Sequence, residues 1–199
     1  VGQEARHVHS KVGVLDMSAF SKAAVTGPGA EAWLNSIVAN TVPKAVGRIG
    51  LCHMLSQNGG VRAEFTIYKR GNNSYYLVFA GAQERHDWDY LTKLAPRDGS
   101  VNLQKITTQM GVLVLAGPKS RDVLQKLTDT DLCNDNFKWL TGKPINVGYA
   151  QAEALRVNFV GELGWELHHP IEMQNYIFDE LMKAGAEFNI KPFGIRAME

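Results

Sequence analysis

The sequence predicts an α+β fold, two pseudo-symmetric strand-helix-hairpin-helix units with mainly antiparallel sheets. Three observations lead there. A short apolar strand, Gly-Pro and a helical stretch occur in that order at Lys22–Ile37 and again at Val112–Leu127. A hairpin follows each copy, marked by Asn58-Gly59-Gly60 in the first and by Gly161 and Gly164 in the second. An amphipathic helix then closes each unit.

In the first copy, Gly27-Pro28 ends the strand. Proline suits the first helical turn, where its missing N–H has no partner to lose. Trp33, Leu34 and Ile37 then recur at helical spacing. The hairpin runs from about Arg48 to Lys69, and a further strand, Tyr75–Ala80, follows the Arg70–Ser74 turn. A helix is expected over Ala82–Leu94, with Trp88 and Leu91 inward. Ala95-Pro96-Arg97-Asp98-Gly99-Ser100 is the clearest internal linker. It lacks the length of a flexible tether, so residues 1–199 read as a single domain with an internal duplication, about 12–95 and 101–190. A ligand cleft between such halves is expected.

In the second copy, Gly117-Pro118 precedes Val123, Leu124 and Leu127. Leu155, Val157 and Phe159 alternate with Arg156, Asn158 and Val160, the period of a strand with one buried face. Beyond the glycine turn, Trp165 and Leu167 fall on one face and Glu166 and His168 on the other. The closing helix spans roughly Met173–Glu187, with Tyr176, Ile177, Phe178 and Leu181 inward.

Composition narrows the function classes. A net charge of +1 leaves no electrostatic footprint for nucleic acid or an anionic membrane. The longest apolar run, Val112–Ala116, is far too short to span a bilayer as a helix. Cys52 and Cys133 stand apart in no metal-ligand spacing, and the chain opens on no signal-peptide pattern, so a reduced, cytoplasmic setting is expected. No Gly-x-Gly-x-x-Gly, P-loop or nucleophile elbow occurs, so a nucleotide cofactor is not expected. His7, His9, His168 and His169 lack the spacing of a zinc site and are expected at the surface or at caps. His53 is expected half-buried on a strand.

Glu166 is the first candidate for a site. On a strand it can accept two N–H bonds from the amino-amide edge of a flat ligand. The alternatives are a solvated glutamate or one paired with Arg156. Glu162 reads as turn chemistry, and Trp165 is expected to pack on the opposite face.

These motifs, in their order, resemble a known family. Val12–Lys22 with Val25–Ala30, then Gly117-Pro118, Phe159–His168 and Pro192–Glu199, are similar to the folate-binding domain of glycine-cleavage T-proteins. The same domain forms the C-terminal half of dimethylglycine and sarcosine dehydrogenases, and Gly-Glu-Leu-Gly-Trp-Glu-Leu-His at 161–168 is typical of that branch. The resemblance covers essentially the whole chain.

It implies tetrahydrofolate as acceptor of a one-carbon unit from a methylated amine such as dimethylglycine or sarcosine. It places Glu166 at the pterin edge. Phe159 stands where the family often has tyrosine, Ala63 where T-proteins carry the aspartate that promotes transfer, and Glu64 beside it on the opposite side of the strand. Met198 stands where a folate-binding arginine falls, with Arg196 two residues away. Glu166, Phe159, Trp165 and Arg196 form the candidate binding set, with no catalytic residue assigned. The resemblance further implies a parent flavoprotein. Its FAD domain and C-terminal barrel lie outside this chain, which then reads as a fragment, matrix-located if the source is eukaryotic. Two rivals stand beside this: a stand-alone T-protein relative acting on another methylated amine, and a non-catalytic regulatory or structural relative of the same fold.

Overall fold

The computed structural model describes residues 1–157 and 159–198. Asn158 and Glu199, which the sequence reading placed in a strand and in the C-terminal motif, lie outside the described residues. The elements in order are α1 (Gly2–Ser10), β1 (Gly13–Asp16), β2 (Ser21–Thr26), α2 (Ala30–Ile37), β3 (Ile49–Leu55), β4 (Val61–Gly71), β5 (Ser74–Phe79) and α3 (Glu84–Leu94). Then come β6 (Asn102–Lys105), β7 (Met110–Ala116), α4 (Ser120–Gln125), β8 (Gly142–Val147), β9 (Ala150–Leu155), β10 (Gly164–Pro170), α5 (Gln174–Ala184) and β11 (Lys191–Pro192). The chain divides into two compact units, Ala19–Thr107 and Val1–Ser18 together with Thr108–Glu199.

In the unit Ala19–Thr107 the strand order is β3-β4-β5-β2-β6, all antiparallel. Alternation along the strands sends Ala23, Val25, Phe65, Ile67, Leu77 and Phe79 to one face. They share a core with Trp33 and Leu34 of α2 and Leu91 of α3. The Trp33 indole N–H donates to the Leu94 carbonyl at 2.9 Å, fixing α2 against the end of α3. The Ala95–Ser100 segment lies inside this unit, because β6 returns to pair with β2.

In the other unit the order is β11-β1-β7-β10-β9-β8, antiparallel except for the short parallel pair β1–β11. Leu113 and Leu115 of β7 and Trp165 and Leu167 of β10 form a core with Val123 and Leu124 of α4 and Ile177 and Leu181 of α5.

Both Gly-Pro segments are built alike. Gly27 and Gly117 have φ of +115° and +119°, and a Cβ there would lie 2.4 Å from the Ser100 carbonyl oxygen and 2.6 Å from that of Lys11. Only glycine fits such a left-handed, backbone-crowded bend.

Two expectations for the second copy are corrected. The expected strand Leu155–Val160 ends at Leu155, where Arg156 N–H turns to the Thr141 carbonyl and Val157 N–H folds back on the Leu155 carbonyl. The strand lies earlier, at Ala150–Leu155, and pairs with β8, which the sequence reading missed. In strand order β8-β9-β10-β7 matches β3-β4-β5-β2, so the Gly161–Gly164 reversal corresponds to the turn before Ser74, not to Asn58–Gly60. Lys143, Pro144 and Asn146 hide β8 from a propensity reading, yet it is an edge strand, where proline costs no ladder bond.

Candidate functional site

β10 is buried from Gly164 to His169 and is paired on both edges, with β7 and with β9. Its alternation sets Trp165 and Leu167 into the helix-side core and Glu166 and His168 onto the opposite face. In register, Glu166 stands between Val114 of β7 and Leu155 of β9, and His168 between Val112 and Glu153. Glu166 is therefore a carboxyl group among aliphatic neighbours, 1% exposed.

Glu166 Oε2 lies 3.1 Å from His168 Nε2, close enough for one proton to be held between them. Its other oxygen, Oε1, has no hydrogen-bonding partner among the described residues. Burial raises the Glu166 pKa to about 8, because the charged form loses its hydration and gains little in return. The expected alternatives fail on this geometry. Glu166 is not solvated, and the Arg156 guanidinium donates elsewhere, to the Phe137 carbonyl and to Asn134 Oδ1.

His168 and His169 are also corrected, from surface to buried, at 1% and 0% exposure. The cause is that both faces of β10 are covered. His169 is held by the Leu167 carbonyl and by Gln174 Oε1, and burial lowers its pKa. The sequence reading did not single out His168 as the partner of Glu166, though a spacing of two on a strand was a signal that both share a face.

Trp165 is fully buried on the other face of β10, edge-on to Phe137. Phe159 is 49% exposed. Arg196 is exposed on the Ile195–Ala197 turn and makes no hydrogen bond or ion pair with another described residue. Glu162, in the turn before β10, meets His9 of α1 at 2.5 Å. In the other unit, Ala63 is 7% exposed in the apolar core, opposite Met54. Glu64 faces the other way, as expected, and pairs with His53 at 2.8 Å. Among the described residues no helix is long and apolar enough to cross a membrane.

Residues 1–199 match the GCVT N-terminal domain family. The chain belongs to that family. It is 39% identical over 199 residues to mitochondrial dimethylglycine dehydrogenase of Mus musculus, covering all of this chain and 23% of that protein. It is 31% identical over 201 residues to the mitochondrial pyruvate dehydrogenase phosphatase regulatory subunit of the same species, again covering all of this chain and 23% of the relative. The chain thus spans about a quarter of the length of these relatives. Among solved structures, the glycine cleavage system aminomethyltransferase T of Bartonella henselae superposes with a TM-score of 0.83 at 20% identity, over 98% of this chain and 51% of that one. The fold is that of the aminomethyltransferase T-protein, an α+β fold with antiparallel sheets. This chain is an aminomethyltransferase-like GCVT domain related to dimethylglycine and sarcosine dehydrogenases.

Proposed function

We propose that this GCVT domain binds tetrahydrofolate and takes part in moving a one-carbon unit from a methylated amine such as dimethylglycine or sarcosine. The observation that carries the reading is Glu166, a buried carboxyl with one oxygen tied to His168 and the other without a hydrogen-bonding partner among the described residues. Such a group reads a planar edge bearing neighbouring N–H groups; with its pKa near 8 it acts as a carboxylate only once the ligand's donors stabilise the charge, each bond to the charged form then being worth about 1.5–3 kcal/mol. Tetrahydrofolate, when bound, supplies the nitrogens that accept the carbon. The chain's own residues hold and orient: Glu166 takes the ligand N–H, His168 fixes the carboxyl's orientation, and the aliphatic neighbours Val114 and Leu155 keep water from competing.

The family resemblance favours a setting in a longer flavoprotein, where an FAD held by a separate domain would supply the oxidation of the amine. Mitochondrial relatives favour a matrix location. A second reading is a non-catalytic regulatory or structural relative of the T-protein fold, and it is favoured by Ala63, apolar and buried where T-proteins have aspartate.

Thermal unfolding with added ligand tests the binding. Tetrahydrofolate should raise the unfolding midpoint saturably, as any ligand of the native state does. A p-aminobenzoylglutamate control, which lacks the pterin edge, should leave it unchanged. An identical response to both compounds, or none to either at millimolar concentration, would contradict the proposal.

A further inference from the structure

A second polar cluster lies in the same unit, on the helix side of the sheet. Arg121, on α4, donates from Nε to the Leu132 carbonyl at 2.9 Å and from a terminal nitrogen to Asn134 Oδ1 at 2.6 Å. Arg156, just past β9, donates to the same Asn134 Oδ1 at 2.7 Å and to the Phe137 carbonyl. Both guanidinium carbons lie 5.8 Å from the centre of the Trp165 ring. Neither arginine forms an ion pair with a carboxylate among the described residues.

The arrangement holds two like charges on one neutral oxygen. Tying down the Leu132–Phe137 loop needs only the bonds to the two carbonyls. It does not need both guanidiniums at a single amide oxygen, where they repel each other; burial first, and the Arg121 charge after it, lower the Arg156 pKa. Donors also remain unused. Arg156 Nε–H and the Trp165 indole N–H are buried with no partner among the described residues, and Trp165 is 0% exposed. Buried donors without acceptors are rare in native proteins, and a bound acceptor is one reason for them. Asn134 itself is exposed, so its side chain is free to give way to a ligand.

We propose that Arg121, Arg156 and Asn134 frame a binding site for a small oxyanion, a phosphate or carboxylate group. Asn134 Oδ1 occupies the position of one anion oxygen. Guanidinium forks match such planar or tetrahedral oxygens better than a lone ammonium does. The chemistry is the reverse of that at Glu166: this cluster offers donors and positive charge, and it lies on the other side of the sheet.

The test titrates the 199-residue chain with inorganic phosphate at constant ionic strength, balanced with chloride, and follows the unfolding midpoint and calorimetric heat. Acetate in a parallel arm separates phosphate from carboxylate preference. A saturable response to either anion is expected. Arg156→Gln should weaken it tenfold or more. Asn134→Asp places a carboxylate between the two guanidiniums, so this variant should melt higher than the parent chain and lose the anion response. If Arg156→Gln fails to fold, Asn134→Asp carries the test alone. No saturable response in the parent chain, or an undiminished one in Asn134→Asp, overturns the proposal.

Discussion

A glutamate shut away from water beside a histidine ionises late. Glu166 has its folded-state pKa raised to about 8 from an ordinary value of 4.5. The native state therefore holds the proton more tightly than the unfolded chain does. Its stabilising contribution is complete below the unfolded pKa and is lost as pH rises towards the folded one. Denaturant unfolding at pH 5 and pH 8 should show the wild-type chain losing stability relative to Glu166→Gln, roughly a few kcal/mol by linkage. A constant difference between the two across that range would mean that Glu166 titrates normally. Ala63 gives the opposite kind of test. Its side chain lies in the apolar core against Met54, so Ala63→Asp buries a carboxylate there. It should cost on the order of 2 kcal/mol or more by chemical denaturation. Unchanged stability would place that side chain in a wet environment, where an aspartate could serve transfer.

At the level of elements, the Gly-Pro bends and the helices after them were legible because their chemistry is local. Gly27 and Gly117 carry positive φ against neighbouring backbone, so Gly117→Ala should cost more than about 1 kcal/mol. Tolerance of that change, measured by denaturant midpoint, would show that the bend adapts. The second sheet was less legible. β8 reads as a loop from Lys143, Pro144 and Asn146, and only its place at the sheet edge makes it a strand. β9 was read several residues late because the alternation of Leu155, Val157 and Phe159 continues past the point where Arg156 leaves the ladder. β10 was read correctly for its faces, since Trp165 and Glu166 do part to opposite sides. Its burial was not legible, because alternation shows which residues share a face and not whether both faces are covered. His168 and His169 were misplaced for that reason.

For the molecule as a whole, the repeated order of strand, Gly-Pro and helix led to the α+β fold with antiparallel sheets that the structure has. The unit boundaries were beyond a linear reading. β1 lies within the first copy in sequence, yet it pairs with β7 of the second. Of the site, the face of Glu166 followed from strand alternation and its proposed role rests on the family resemblance, whereas the donor cluster around Arg121 and Arg156 needed the fold to bring distant segments together. On the proposed function, the Glu166 carboxyl is what would hold tetrahydrofolate in this GCVT domain. Calorimetric titration of tetrahydrofolate into the parent chain and into Glu166→Gln tests it most directly. Glutamine keeps the size and hydrogen-bonding reach but replaces one acceptor oxygen with a donor and cannot carry charge. Losing a charge-assisted hydrogen bond of about 1.5–3 kcal/mol weakens binding roughly tenfold or more. Equal affinity in the two proteins would contradict the claim.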